Sequence, residues 1–366
     1  MNRGYETHVR VLLEHLRSDA SLDMSVVLFK GDGAGSPAEV ALSTPCRDGA
    51  LCKLLARFRG DPLYWEYTLF AVAFVMRSIL LQDRYDTVAC IEPMVAKTLC
   101  RLRRLLPGRP RLTFTHGVSM EPRNYCSLGD VVHEVNVESY ERAQAHLMAG
   151  GNADKVVCIP HIIARNDGSG SSPVPDRASL GIGTRFVVLA VGVIDSNQKR
   201  TDHVIREVSK LGPDWTLLAC GLPSGDGGQE VLALGRELLG ARFVNISLPR
   251  DEIWKAYAVA DVFVLGSLNE GFGLVLLEAM RAGLPIFAHD RPLFRWILGE
   301  SGSCVRMDVP GALADRLRHF AANPAEAREA GSRLKERFRM NFTWDSVRDE
   351  YVRMLTGRSP SRQPRG

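Results

Sequence analysis

Several things are missing from this 366-residue sequence, and each absence narrows what the chain can do. Its eight cysteines, at positions 46, 52, 90, 100, 126, 158, 220 and 304, stand singly, and none forms a CxxC pair. A zinc ribbon or dithiol redox motif is therefore not indicated. Several of these cysteines lie in apolar runs and read as buried thiols of a cytoplasmic protein. No long basic run with interleaved aromatics occurs, and the formal net charge is only +4, so nucleic-acid binding has no support. The stretch Tyr5–Leu16 is interrupted by Glu6, His8, Arg10, Glu14 and His15, which excludes a signal peptide from that segment. The most apolar segment, Leu69–Met76 between Glu66 and Arg77, is shorter than the ~18–20 residues a membrane span needs and reads as a buried helix. There are no internal repeats and no acidic metal triad.

What remains is a globular composition, 45% apolar and 24% charged, long enough for two domains of roughly 150–200 residues. Apolar strand-like runs alternate with amphipathic stretches. Met24–Phe29, Asp86–Ile91, Leu112–Thr115, Val131–Val135 and Val156–Ile159 read as strands of a first half, with helices at Thr7–Leu16, Leu63–Leu81, Ala96–Leu106 and Ser139–Ala149. In a second half the strands are Phe186–Val191, Trp215–Cys220, Phe243–Ile246, Val262–Leu265 and Pro285–Ala288. The intervening helices are His203–Leu211, Glu230–Leu239, Arg250–Ala260 and Leu274–Arg281. Such alternation predicts parallel sheets covered by helices on both faces. The segment 164–175, rich in Gly, Ser and Pro, reads as a linker between domains 1–163 and 176–341. Thr343–Leu355 places Trp344, Val347, Tyr351 and Met354 or Leu355 on one helical face, within a closing segment 342–356. The polar tail 357–366 reads as disordered. A doubly wound domain normally opens on a buried strand, whereas this chain enters a helix almost at once, so the first strand of the N-terminal domain is expected to be missing or to lie upstream.

The most informative segment is Asn269-Glu-Gly-Phe-Gly-Leu-Val-Leu-Leu-Glu-Ala-Met280. Two glycines sit where an apolar strand turns into a helix, with Glu270 before them and Glu278 eight residues on. Glycine allows a ligand close to the backbone, and the first N–H groups of a helix lack internal acceptors and carry partial positive charge. The backbone N–H groups of Phe272, Gly273 and Leu274 therefore form a candidate phosphate cradle. A ligand with phosphate in the middle and polyols at both ends, such as a nucleotide-sugar, matches this pattern. Lys199 and Arg200 follow another glycine, Gly192, at a strand's carboxyl end, where α/β folds bind ligands. Cations placed there would stabilise charge that grows on a departing diphosphate. In the first half, His116 ends a strand and precedes Gly117, well placed for an acceptor or a phosphate. Glu92-Pro93 is a further acceptor-side candidate.

Residues 185–355 resemble the donor domain of GT-B glycosyltransferases of family 4, the retaining group 1 transferases. Four segments carry the resemblance, in the expected order: Val191-Gly192 with Gln198-Lys-Arg200; Leu217-Leu-Ala-Cys-Gly221; Leu248–Asp261; and Ser267–Pro285. Asn341-Phe-Thr-Trp-Asp345 is similar to the start of the helix that returns to the first domain in that family. The resemblance implies two Rossmann-like doubly wound domains facing an interdomain cleft. It also implies a retaining sugar transfer from a nucleotide-sugar to an acceptor, without metal or other cofactor. Glu270, Lys199 and His116 are the implied catalytic residues. Glu270 is expected near the transferred sugar and Glu278 near the ribose. Arg200, Gly192, Gly221, Gly271, Phe272, Gly273, Leu274 and the N-terminal Gly4 are implied in substrate binding. The family places arginine directly after the first glycine; here Val193 stands there, and Arg200 is the candidate substitute. Alternatives on the same fold are a sugar-nucleotide epimerase and an inactive transferase-like partner subunit. The acceptor, whether glycan, lipid-linked or small molecule, is not legible. The arginines at 101, 103, 104, 109 and 111 fit a solvated helix face and turn; the alternative is peripheral contact of the N-terminal domain with the inner face of a membrane.

Overall fold

The computed structural model describes residues 4–31, 39–58, 60–117, 120–150, 152–164, 173–301 and 303–357. Most of the 164–175 linker and the tail beyond Gly357 lie outside the described residues. The chain divides into two units, Met1–Pro160 with Val347–Arg365, and His161–Ser346.

The first unit runs α1 (Gly4–Ser18), β1 (Leu28–Lys30), β2 (Glu39–Ala41), α2 (Ala50–Ala56), α3 (Pro62–Leu81), β3 (Thr87–Cys90), α4 (Pro93–Leu102), β4 (Arg111–His116), α5 (Pro122–Tyr125), β5 (Val131–Glu134), α6 (Val137–Met148) and β6 (Val156–Cys158). Strands β3-β4-β5-β6 form one parallel sheet in chain order, and β1 and β2 form a separate parallel pair. Among the described residues no strand precedes α1, which already begins at Gly4. Helix α3 starts where Asp61 accepts from the Tyr64 N–H at 2.8 Å, with Pro62 in the first turn. It buries Ala71, Phe74, Val75 and Ser78, spaced i, i+3, i+4, i+7, and the first three join a core with Leu99 and Leu112. Its opposite face is not buried: Met76 is 51% exposed and Leu80 74%. The expectation of a buried helix holds for one face only, because burial follows helical position while the run Leu69–Met76 is apolar all round.

The second unit holds β7 (Phe186–Val191), α7 (Thr201–Ser209), β8 (Trp215–Cys220), α8 (Gly225–Leu239), β9 (Phe243–Ile246), α9 (Trp254–Val259), β10 (Val262–Leu265), α10 (Leu274–Ala282), β11 (Ile286–His289), α11 (Pro292–Leu298), β12 (Ser303–Val305), α12 (Ala312–Ala322) and α13 (Pro324–Asn341). Its six parallel strands are ordered β12-β11-β10-β7-β8-β9. From β7 the chain winds outward one way through β8 and β9, then returns to the other side of β7 with β10. The sheet therefore reverses between β7 and β10. All four residues of β10 are buried, as are all six of β8, which explains their continuous apolar runs. Glu207 on α7, almost fully buried, accepts from the N–H groups of Gly311 and Ala314 at 2.8 and 3.0 Å and pairs with Lys210, so one side chain caps α12.

The last helix, α14 (Trp344–Thr356), belongs mainly to the first unit. Trp344, Val347, Tyr351 and Met354 are all buried, as their spacing predicts. Tyr351 donates to the Pro160 carbonyl at 3.0 Å, Thr87 to the Leu355 carbonyl at 2.5 Å, and Arg348 pairs with Asp19 at 2.6 Å. The His8 and His133 rings pack against Tyr351.

Candidate active site

In open α/β sheets ligands gather at the carboxyl ends of the strands where the order reverses, which in the second unit lies between β7 and β10. After β7, Gly192 has φ +144°, a backbone conformation natural to glycine, and a Cβ there would lie 3.0 Å from Lys199 Cε. The missing side chain thus leaves the channel in which the lysine lies. Asp195 organises the turn: its Oδ1 accepts from the N–H of Lys199 at 2.7 Å and of Arg200 at 3.3 Å, and its carbonyl accepts from Thr201 at 2.8 Å. Arg200 takes φ +50° and donates through Nη1 to the Met307 carbonyl at 3.0 Å.

After β10, the loop from Gly266 to Gly273 carries the second half of the site. Lys199 Nζ lies 2.5 Å from Glu270 Oε1, and Ser267 Oγ donates to the same oxygen at 2.7 Å. The side chains of Lys199 and Glu270 are 19% and 7% exposed. Two residues 71 apart in sequence thus form one largely desolvated pair at the switch point. Gly266 permits the approach of the two loops, since a Cβ there would meet the Lys199 carbonyl at 2.8 Å. Gly273, φ +91°, turns the chain into α10, whose first N–H groups point along the axis with no intrahelical acceptor. Gly271 lies in this turn. Phe272 is buried and anchors it, edge-on to His161 at 5.0 Å between ring centroids and close to Trp296 and Phe342. Gly221 sits at the floor: a Cβ there would be 1.7 Å from the Gly192 carbonyl oxygen, so this glycine serves close packing of the β7 and β8 ends.

Glu278 is 3% exposed and already has two partners: Arg250 on Oε1, and Tyr257 donating to Oε2 at 2.8 Å. Burial first, then the Glu278 charge, push the Tyr257 phenol well up, which keeps it protonated as the donor. The Arg250 side chain is 56% exposed, so the pair reaches solvent through the guanidinium. The expected helix Arg250–Ala260 is shorter, Trp254–Val259, and the freed turn is what lets Arg250 reach Glu278. Asp261, the last residue of the third segment, accepts from the Val187 N–H at 2.7 Å and pairs with Arg177, a structural tie between loop and β7.

In the first unit, His116 ends β4 directly beside Glu134, its register partner on β5. His116 Nδ1 lies 2.8 Å from Glu134 Oε2, and the imidazole stacks on Tyr125 at 3.8 Å with a 10° interplanar angle. His116 is 5% exposed, Glu134 fully buried, and His116 Nε2 has no hydrogen-bond partner among the described residues. Burial, then the Glu134 carboxylate, raise the Tyr125 phenol. Glu92 precedes α4 without capping it through its side chain. Gly4 opens α1. Sequence reasoning missed Glu134, Asp195, Ser267, Arg250 and Tyr257. Glu134 had a readable signal, a carboxylate at the end of a strand expected beside that of His116; the others needed the loops' paths.

Two α/β units with parallel sheets, the second reversing its strand order between β7 and β10, have the architecture of the GT-B class of fold. Solved GT-B structures cover nearly the whole chain. Sucrose-phosphate synthase from Thermosynechococcus elongatus superposes with a TM-score of 0.74 at 23% identity, covering 97% of this chain and 94% of that one. HepE of Anabaena, solved in complex with UDP, gives 0.68 at 15%, covering 91% and 100%. Residues 175–337 match the model of the family "Glycosyl transferases group 1". Among curated relatives, alpha-maltose-1-phosphate synthase of Mycolicibacterium smegmatis is 30% identical over 198 residues, 49% of this chain and 51% of that protein. A D-inositol 3-phosphate glycosyltransferase of a Mycobacterium species is 36% identical over 145 residues, 38% and 31% respectively. The chain spans about half or less of these curated relatives.

Proposed function

We propose that the chain is a retaining glycosyltransferase that moves a sugar from a nucleotide-sugar to an acceptor hydroxyl, without a metal ion. The observation that carries this reading is the Lys199–Glu270 pair at the β7/β10 reversal, beside the glycine-opened start of α10. The bond between the sugar's anomeric carbon and the diphosphate breaks, a bond to the acceptor oxygen forms on the same face, and the acceptor proton is released. Lys199 and Arg200 with the α10 N–H groups would take up the charge left on the diphosphate, the work a metal does elsewhere. Glu270, anchored by Ser267, would face the sugar as positive character develops at the anomeric carbon. Glu278, held by Arg250 and Tyr257, retains lone pairs for ribose hydroxyls. UDP in the HepE complex supports a nucleoside-diphosphate donor. His116, oriented by Glu134, would meet the acceptor or a phosphate through Nε2. Eight unpaired thiols among the described residues fit a cytoplasmic setting.

Lys199→Ala and Glu270→Ala should each lower turnover by about 10²–10³-fold. The measurement is nucleoside diphosphate released from UDP-, GDP-, ADP- and dTDP-sugars over a panel of acceptors. Unchanged turnover in both variants would remove the assignment. Product anomers read by NMR decide between retention and inversion.

A further inference from the structure

The outer face of α3 carries an interaction surface that the transfer reaction does not use. Trp65, Leu69, Val72, Met76 and Leu80 follow one another at three- or four-residue spacing, opposite the buried stripe of Ala71, Phe74, Val75 and Ser78. Among the described residues α3 is the one helix long and apolar enough to cross a membrane, yet only 22% of its apolar window is buried. It cannot cross one while its inner stripe packs against Leu99 and Leu112 of the sheet unit. On this face Trp65, Leu69 and Val72 are half-buried, while Met76 and Leu80, with Leu81 beside them, are exposed at the carboxyl end of the 20-residue helix, and a cluster of large exposed apolar side chains calls for a covering surface.

Charge selects the partner. The carboxyl end of α3 runs to the edge of the sheet where β3 and β4 begin. Leu80, Leu81 and Leu105 are exposed there at 74, 58 and 57%. Four exposed arginines lie in the segments that lead into β3 and β4: Arg84, Arg101, Arg104 and Arg109. Gly108, between Leu105 and Arg109, lies next to Arg84. None of the four arginines has a carboxylate partner among the described residues. The nearby Asp83 is taken by Arg77 and Tyr85, and Asp130 by Arg103. Apolar side chains accompanied by unpaired arginines match a bilayer surface with anionic headgroups, where leucines enter the acyl boundary and guanidiniums meet phosphates. A second copy of this chain would set arginine against arginine.

We propose that the outer face of α3, with these arginines, docks the protein on an anionic lipid surface as an interfacial helix. The test is co-sedimentation of the full chain with phosphatidylcholine vesicles containing 0 or about 30% phosphatidylglycerol, the anionic fraction tuning the surface charge. Binding is expected to the anionic vesicles, to fall about fivefold for each of Arg84→Gln and Arg104→Gln, and to weaken as salt rises. The double variant Met76→Glu/Leu80→Glu should abolish it. Both positions are exposed, so circular dichroism and melting should stay at wild-type values. Equal binding to both vesicle types, or no binding to either, overturns the proposal. So does a concentration-dependent dimer in light scattering that the double variant dissolves, which would make the face a self-interface. Donor turnover with a water-soluble acceptor is independent of this surface, so its loss would count against the proposed reaction and not against docking.

Discussion

Gly221 carries no chemistry of its own, yet the site has no floor without it. Its absent Cβ is the space into which the Gly192 carbonyl fits, and Asn245 fixes the same strand end by donating to the Ala219 and Gly221 carbonyls at 2.9 and 3.1 Å. Gly221→Ala should destabilise the protein by about 1–3 kcal/mol or more, because the obstructing atom is backbone just past the end of the central strand β7. Gly227→Ala, in the first turn of α8 with open space around it, is the control and should be neutral or slightly stabilising. Chemical denaturation of the two variants reads the difference; equal stability would show that the strand ends can part. At this scale the sequence said much about which residues gather and little about how. Glycines after strands and the Glu270–Glu278 spacing marked the strand ends at the β7/β10 reversal. The pairing of Lys199 with Glu270, and of Glu278 with Arg250 and Tyr257, depends on loop paths that no local pattern encodes.

Elements were legible where their burial was uniform. β7, β8, β9 and β10 begin and end at the residues their apolar runs indicate. The elements after β11 (α11, β12, α12 and α13) were not read from the sequence: α13 has few apolar positions and α12 is held by the distant Glu207, whereas α11 carries a legible apolar set in Leu293, Phe294, Ile297 and Leu298. Helix α14 shows a different dependence, on pH. It covers His8 and His133, both lowered chiefly by burial, to about 3 and about 4. His133 is fixed by Thr115 and by the Ile159 carbonyl, to which Nε2 lies at 2.8 Å. A folded pKa below the unfolded value of 6.5 means the unfolded chain takes up protons that the native state refuses. Stability is therefore unaffected above about pH 6.5 and falls as pH drops from there toward 4, each histidine adding a slope of up to about 1.4 kcal/mol per pH unit. Urea denaturation at pH 7.5, 6, 5 and 4.5 should show this, and His8→Phe should flatten the slope by one histidine's share. A parallel slope in that variant would place the acid sensitivity elsewhere.

For the molecule as a whole, ligand binding and folding are one equilibrium. A nucleotide-sugar held at 100 times its Kd should stabilise the folded chain by about 2.7 kcal/mol, visible as a rise in Tm for the matching nucleotide alone. A screen of UDP-, GDP-, ADP- and dTDP-sugars in which none moves the Tm would favour a transferase-like subunit that binds no donor. The same coupling sets stability against activity at Arg200. Its backbone occupies the left-handed region at φ +50°, where a non-glycine residue costs about 1 kcal/mol, while its guanidinium is tied to the Met307 carbonyl. Backbone and side chain thus ask for different residues at one position. Selection for heat resistance alone would drift toward glycine there and discharge the site, so a thermostabilised form of this protein has to be chosen under turnover as well as temperature.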